Sequence, residues 1–322
     1  MRALLRLVAV VLVCGGASAQ SLGPGSFSFG LIGDMPYFRF EQPAVIDIVR
    51  DMGKHDLAFV IHDGDFKSGF ERCSDEVMQW NRKLFDSSRQ PLIYIPGDND
   101  WTDCHRPSNG AYEPEERLRR LREIFYADEY SLGQRRIRLV RQSEDSRFSA
   151  YRENVRWQHG VVLFVGVNVT GSNNNFGRTG TANGEHQRRN AANITWLAQS
   201  FELASRKLMR AVVVVMHANP LFELAETDTK RRGYSEFIDR LRVETIAFGK
   251  PVLLVHGDTH SYRVDKPLVE RSSRRLVENL TRVETFGTPV LGWVMVTVDT
   301  SRPELFVVEP FRYRLPTQEG TD

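Results

Sequence analysis

The sequence predicts an α/β fold in which two sheets lie together in a layered sandwich. Short apolar runs rich in valine and isoleucine recur along the chain, which is typical of strands that are covered on both faces. Amphipathic helical patterns lie between many of these runs. The last two runs follow each other with no helix between them, so we expect the chain to finish in antiparallel strands.

The predicted strands, in chain order, are residues 27–32, 57–61, 92–95, 161–167, 211–216, 252–255, 290–298 and 305–308. Three helical patterns have their apolar side chains on one face. They are centred on Leu118, Leu121, Ile124 and Phe125, on Ile194, Leu197, Phe201 and Ala204, and on Tyr234, Phe237, Ile238 and Leu241. The Gly- and Asn-rich segment 171–184 predicts a surface loop near a functional site.

The first nineteen residues have the order of an export signal. Arg2 and Arg6 precede an apolar run over 7–13, and Ala17-Ser18-Ala19 suits cleavage after Ala19. Acylation of Cys14 is the alternative. We expect residues 20–322 to form a single domain that is secreted or periplasmic, because no later apolar run reaches the roughly 18 residues that a membrane anchor needs.

The charge of the chain limits the partners that we expect, and its cysteines indicate the compartment. Removing Arg2 and Arg6 leaves 41 basic residues against 41 acidic ones. A neutral chain whose basic residues are scattered lacks the basic excess of nucleic-acid-binding proteins, so we expect no nucleic-acid partner. Cys73 and Cys104 are predicted to form one disulfide in an oxidising compartment, with two buried free thiols as the alternative. The sequence gives no signal for the oligomeric state.

Acidic residues and histidines follow several predicted strands directly. The turns are Gly33-Asp34, His62-Asp63-Gly64-Asp65, Pro96-Gly97-Asp98-Asn99-Asp100, His217-Ala218-Asn219 and His256-Gly257-Asp258-Thr259-His260. Turns at the carboxyl ends of strands in an α/β sheet converge on one crevice. Carboxylates crowded there raise one another's pKa, and bound divalent cations usually relieve this repulsion. Together the turns predict a metal site.

These turns resemble the motifs of the calcineurin-like metallophosphoesterase superfamily, which includes purple acid phosphatases. The resemblance runs from about Phe27 to His260. It implies a four-layer αββα sandwich of two mixed sheets flanked by helices, and hydrolysis of phosphate monoesters or diesters by water activated at two divalent metal ions. By position, Asp34 and His260 would bind the first ion, Asp98, His217 and Asp258 the second, and Asp65 both.

Four positions depart from the family pattern, and two of them are Pro36 and Asn99. Pro36 stands where a ligand histidine is usual, so Tyr37, His62 or water would have to replace that histidine. Asn99 stands where the family has a histidine that contacts phosphate and can protonate the leaving group. An amide can hydrogen-bond a phosphate oxygen but is not a general acid at neutral pH.

Other residues would then complete the catalytic set. His105 is the candidate acid, and Arg106 or Lys67 is the candidate phosphate clamp. Asp98 and Asp258 replace an asparagine and a histidine of the family pattern, which turns the second site toward oxygen ligands and favours Mn²⁺, Mg²⁺ or Ca²⁺ relative to Zn²⁺. Among Mn, Mg, Fe, Ca and Zn the metal stays open.

The substrate class also stays open between small-molecule and lipid phosphate esters. Pro36 and Asn99 leave a second hypothesis, a protein that keeps the fold and binds a metal or a phosphorylated ligand without catalysis. A purely structural calcium site would explain the carboxylates but not His217 and His260.

Overall fold

The computed structural model describes residues 22–313. The predicted export signal, residues 1–19, lies outside the described residues. Within the described range, one sheet of five strands and one of seven lie in a sandwich, with helices on the outside. This confirms the predicted α/β fold of two mixed sheets.

The strands are β1 (Phe27–Ile32), β2 (Leu57–His62), β3 (Leu92–Tyr94), β4 (Val140–Arg141), β5 (Val155–His159), β6 (Val162–Gly166), β7 (Ala211–Val215), β8 (Val252–His256), β9 (Arg263–Asp265), β10 (Leu280–Glu284), β11 (Gly292–Val298) and β12 (Phe306–Arg312). The main helices are α1 (Gln42–Met52), α2 (Asp75–Asp86), α3 (Pro114–Phe125), α4 (Gly180–Arg206) and α5 (Ser235–Phe248).

The two sheets combine parallel and antiparallel pairs. The five-stranded sheet has the order β12-β11-β1-β2-β3, and the seven-stranded sheet has the order β4-β5-β6-β7-β8-β10-β9. In the first sheet β1, β2 and β3 are parallel. The chain finishes as predicted, with β11 antiparallel to both β1 and β12. In the second sheet β6, β7, β8 and β10 are parallel, so the carboxyl ends of the parallel strands in each sheet share one edge.

An apolar core fills the space between the sheets. Phe29 and Phe59 of the first sheet meet the ring of Phe164 of the second edge to face, with centroid distances of 5.2 and 5.0 Å. Alternate residues of β7 serve different layers, since Val213 lies in this inner core and Val212 packs beneath the α4 and α5 helices. Burial on both faces explains why the strand is a continuous apolar run.

Two local predictions can be compared directly with the structure. Segment 171–184 is a loop only in its first part, because α4 begins at Gly180, where the Thr179 side chain accepts a hydrogen bond from Ala182 N at 3.1 Å. The prediction of a loop through residue 184 is therefore wrong. None of the helices in the described range is long and apolar enough to cross a membrane.

The predicted disulfide is present. Cys73 and Cys104 are bonded, with their Cα atoms 5.7 Å apart, and the two residues are 31 positions apart in the sequence. Closing a loop of that length stabilises a fold by about 3.5 kcal/mol in the chain-entropy model. The bond joins the segment after β2 to the segment after β3, and both segments carry predicted site residues.

Candidate metal centre

All six residues predicted as metal ligands lie at the carboxyl ends of strands and are brought together across the two sheets. Asp34, Asp65 and Asp98 follow strands of the first sheet, and His217, Asp258 and His260 follow strands of the second. The turns contact one another directly, because Asp258 N donates a hydrogen bond to Asp34 Oδ2 at 3.0 Å.

Each of the two histidines presents one ring nitrogen to the carboxylates. His217 Nδ1 lies 2.9 Å from the carbonyl oxygen of Asp63, and His260 Nδ1 lies 2.6 Å from the carbonyl oxygen of Thr288. A carbonyl oxygen can only accept a hydrogen bond, so Nδ1 carries the proton and Nε2 of the neutral ring has a free lone pair. Histidines that bind metal ions in proteins are oriented in this way.

One group of ligand atoms surrounds His217. Its Nε2 lies 3.1 Å from Asp98 Oδ1, 3.4 Å from Asp65 Oδ1 and 3.9 Å from Asp258 Oδ1. Burial alone would lower the pKa of His217, but the adjacent carboxylates of Asp65 and Asp98 raise it well above its usual value. These lone pairs repel one another unless a proton or a cation lies among them.

A second group of ligand atoms lies around the phenol of Tyr37. Tyr37 Oη is 2.9 Å from Asp65 Oδ2, 3.3 Å from Asp34 Oδ1 and 3.1 Å from His260 Nε2. Burial and the nearby charges of Asp65 and Asp34 raise the pKa of Tyr37 well above its usual value. Burial opposes protonation of His260, yet its contact with Asp34 raises the His260 pKa to about 9.

Asp65 connects the two groups through separate oxygen atoms. Its Oδ1 lies 3.4 Å from His217 Nε2, and its Oδ2 lies 2.9 Å from Tyr37 Oη. Asn99 contacts both oxygens, since its backbone N donates to Oδ1 at 2.9 Å and its Nδ2 donates to Oδ2 at 2.5 Å. Burial raises the pKa of Asp65 well above its usual value. A carboxylate oriented in this way can bridge two cations.

Asp100 supports the turn that carries Asp65, a role that sequence analysis missed. This fully buried carboxylate accepts hydrogen bonds from Asp65 N at 2.9 Å, Phe66 N at 3.0 Å, Gly97 N at 2.7 Å and Tyr94 Oη at 2.7 Å. Its position in the same turn as Asp98 was visible in the sequence. Its contacts with the turn after β2 were not, because they depend on the pairing of β2 with β3.

The backbone at several predicted ligands is strained. The φ angles of Asp34, Asp65, Asp258 and His260 are 52°, 54°, 78° and 60°. L-residues rarely adopt this left-handed conformation, and each instance costs on the order of 1–3 kcal/mol. Such strain persists only where the surrounding structure fixes the conformation, and it is concentrated at functional sites.

A left-handed helical turn lies beside the His217 group. All four residues of 172–175 have φ angles between 50° and 60°, a conformation that costs L-residues roughly 1–2 kcal/mol each and that asparagine tolerates better than most. Ser172 Oγ lies 2.9 Å from Asp98 Oδ2 and 3.0 Å from Asp103 Oδ2. The turn therefore contacts a predicted ligand directly.

Arg189 of α4 holds this turn in position. The buried guanidinium donates to Asn174 Oδ1 at 2.6 Å, to the Asn174 carbonyl at 3.1 Å and to the Asn168 carbonyl at 2.8 Å. Glu185, one helical turn earlier, pairs with Arg189 at 2.7 Å. A buried, charge-assisted network of this kind offsets part of the strain in the turn.

His105 and Arg106, which are predicted to act on the phosphate, differ from each other in their surroundings. His105 is partly buried, burial lowers its pKa, and its Nδ1 lies 2.8 Å from the Thr102 carbonyl, so in the neutral ring Nδ1 carries the proton. Arg106 pairs with Asp103 at 2.7 Å and reaches Ser172 Oγ at 3.3 Å, beside the His217 group.

Lys67 and His62 are both buried. Lys67 is buried and donates to the carbonyls of Ser68 and Glu71 at 3.0 Å each, so the prediction of Lys67 as a phosphate clamp is wrong. The ring of His62 packs 4.6 Å from the ring of Phe85 in the aromatic core. Burial lowers the pKa of His62 to about 3, and its Nδ1 accepts a hydrogen bond from the backbone N of Gly64 at 3.2 Å.

An open cleft of about 570 Å³ adjoins the His217 group. Asp258, Asn219 and Phe176 line it together with Lys230 and Arg232. Both cations are exposed, and in the part of the chain that the structure describes neither forms an ion pair. The cleft therefore combines a predicted ligand with two available positive charges.

The chemistry of these residues fits divalent cations. Asp34, Asp65 and His217 offer ligand atoms within 4.8 Å of one another, and so do Asp98, His217 and Asp258. Carboxylate oxygens with one imidazole nitrogen suit several hard or borderline divalent metals. The identity of the metal stays a prediction.

Comparison with known proteins shows a shared fold. No family model matches the chain, and no curated protein matches its sequence. The structure is similar to a dimetal phosphatase from Danio rerio, with 14% identity and a TM-score of 0.51 over 89% of this chain and 99% of that one. It is also similar to PhoD, with 10% identity and a TM-score of 0.54 over 91% of this chain and 72% of that one.

Proposed function

Because the chain has the calcineurin-like metallophosphoesterase fold, we propose that it hydrolyses phosphate esters with the help of two divalent cations. The orientation of Asp65 is the observation that carries this proposal. Its Oδ1 faces the His217 group and its Oδ2 faces the Tyr37 group. A carboxylate shared in this way can bridge the two closely spaced cations of a dinuclear centre.

The predicted ligands divide between the two groups. Asp34 and His260 would hold the first cation, Asp98, His217 and Asp258 the second, and Asp65 both. Two divalent cations, when bound, supply a water nucleophile near neutral pH and stabilise charge on the phosphoryl oxygens.

Asn99 and Arg106 would prepare the site for an anionic substrate. Asn99 holds both oxygens of Asp65, so the carboxylate cannot rotate away from either group. Arg106 uses one guanidinium nitrogen for Asp103 and Ser172, and the exposed remainder of this planar group can donate to a phosphate oxygen. A neutral His105 can accept a proton but has none to donate from Nε2, which argues against His105 as the acid.

The cleft beside Asp258 is the proposed substrate entrance. Lys230 and Arg232 would attract a phosphate dianion more strongly than a monoanion. We therefore propose that small phosphate monoesters are hydrolysed faster than diesters. Because neutral His105 has no proton on Nε2 to give to a leaving group, esters of acidic alcohols should react faster than esters of simple alkyl alcohols.

We also propose that the protein is exported to an oxidising compartment. The Cys73–Cys104 disulfide supports it, since such bonds persist outside reducing compartments. We also propose that residues 20–322 act as one domain, because the core between the sheets includes residues from both β1 and β11.

The test is hydrolysis of p-nitrophenyl phosphate and bis(p-nitrophenyl) phosphate by protein that has been stripped of metal and then resupplied with one cation at a time. We expect turnover that depends on the added metal and falls to background in Asp65→Asn. Asp86→Asn, at a half-buried aspartate of α2 that pairs with Arg82, is the matched control and should keep full activity.

Metal-dependent turnover that survives in Asp65→Asn would refute the proposed mechanism. Binding of two cations without hydrolysis of either ester would instead indicate the second hypothesis, a binding protein on the same fold.

A further inference from the structure

We propose that Tyr37 replaces the histidine that is missing at Pro36, so that its phenol oxygen binds the same cation as Asp34, Asp65 and His260. This inference rests on the proposed function, because it concerns the first of the two cations. Pro36 has no side chain that could bind a metal, and His62 lies in the aromatic core. Of the replacements that the sequence leaves open, these surroundings favour Tyr37.

Distances between neighbouring ligand atoms support the assignment. Tyr37 Oη lies 2.9 Å from Asp65 Oδ2, 3.1 Å from His260 Nε2 and 3.3 Å from Asp34 Oδ1, and His260 Nε2 lies 3.4 Å from Asp34 Oδ1. Adjacent ligands that lie about 2.0–2.3 Å from one cation are roughly 2.8–3.8 Å apart in tetrahedral or octahedral geometry. All four distances fall in that range.

The number of protons available for hydrogen bonds around the phenol independently supports Tyr37 as a ligand. Asn99 Nδ2, which can only donate, lies 3.2 Å from Tyr37 Oη, so the phenol oxygen accepts from it. The phenol then has one proton to offer, whereas carboxylate oxygens of both Asp65 and Asp34 lie within 3.3 Å of it. One proton satisfies one of these two oxygens, and a cation bound among them would satisfy both.

The chain fixes the phenol from both ends. Tyr37 N donates to Glu41 Oε2 at 2.8 Å, and that buried carboxylate also accepts from Thr288 Oγ1 at 2.9 Å. At the other end the Tyr37 ring meets the His260 ring edge to face, with a centroid distance of 4.9 Å and an interplanar angle of 80°. Anchored in this way, the oxygen is positioned for a cation before the cation arrives.

The experiment compares Tyr37→Phe with wild type and with Tyr126→Phe. Tyr126 is a matched control, because its buried phenol donates one hydrogen bond, to the Tyr94 carbonyl at 2.9 Å, and contacts no predicted ligand. Two quantities are measured: the number and affinity of Mn²⁺ ions bound per chain, and the visible absorption after loading with Fe³⁺, since a phenolate bound to Fe³⁺ gives a charge-transfer band.

We expect Tyr37→Phe to lower the affinity for one of the two Mn²⁺ ions by at least about tenfold. The loss of groups that only orient a ligand already weakens metal binding 10–100-fold. The Fe³⁺ band should disappear in Tyr37→Phe and persist in Tyr126→Phe. An unchanged affinity and band in Tyr37→Phe would overturn the assignment.

Tighter binding, or an additional ion, in Tyr37→Phe would also overturn the assignment, because the phenol would then occupy the position of the ion. Wild type that hydrolyses esters with metal but lacks the Fe³⁺ band refutes the role of Tyr37 alone. Wild type that binds no metal refutes this role and the proposed function together.

Discussion

Replacing Asp100 by asparagine should destabilise the fold by about 4 kcal/mol, although this residue is not one of the predicted metal ligands. Its Oδ2 accepts from Asp65 N, Gly97 N and Tyr94 Oη, and its Oδ1 accepts from Phe66 N. Hydrogen bonds to a charged group are worth about 1.5–3 kcal/mol and neutral ones about 0.5–1.5 kcal/mol. Three bonds that lose the charge therefore forfeit about 3 kcal/mol.

The fourth bond adds to this loss. The new amide nitrogen of Asp100→Asn would face Phe66 N, so two donors would meet and one buried N–H would be left without an acceptor. An unsatisfied buried donor costs about 1–3 kcal/mol. Because Asp65 N is one of the four partners, metal affinity should fall as well, by about tenfold or more.

Urea unfolding in the presence of a chelator separates the two effects, since stability is then measured without metal. The midpoint should shift while the slope stays constant. The control is Asp86→Asn, at a half-buried aspartate on α2 that pairs with Arg82, and it should change stability by less than about 1 kcal/mol. A loss under about 1.5 kcal/mol for Asp100→Asn would refute the four-bond argument.

Two further predictions concern charge. In metal-free protein the pKa of His260 rises from 6.5 to about 9, so its contribution to stability is complete below pH 6.5 and disappears as the pH rises through 9. Melting temperatures of chelator-treated protein should decline across that window and less steeply in His260→Gln; equal slopes would contradict the shift. Joint replacement of Lys230 and Arg232 by alanine should raise KM for a phosphate monoester about five- to tenfold with little change in kcat. The control is Lys207→Ala, an exposed lysine at the end of α4, and a KM that is unchanged in the double variant would exclude the cleft as the entrance.

The position of the candidate centre could be predicted because its signals are local. A turn such as Gly33-Asp34 directly after an apolar run is visible in the sequence, and parallel strands bring their carboxyl ends to one edge. The same reasoning extends to His217, because its turn follows a parallel strand of the other sheet.

Features that depend on distant partners could not be predicted. Strand β10 was missed because Arg282 and Glu284 suggest an exposed segment, yet both side chains are buried. Arg282 pairs with Asp265 and Glu223, and Glu284 pairs with Arg263 at 2.6 Å. The contacts of Tyr37 with Asp65 and His260 likewise arise only once both sheets are assembled.

The left-handed turn at residues 172–175 changes how its composition should be understood. A run of one serine and three asparagines predicts a loop by composition, but here every residue has the same mirror-image backbone conformation. The run favours a left-handed backbone, since asparagine is among the few chiral residues that tolerate this conformation. A D-alanine introduced at position 175 by chemical synthesis should be compatible with this left-handed backbone. An L-valine at the same position should disrupt it. An asparagine run beside a functional site can therefore specify one conformation of the chain.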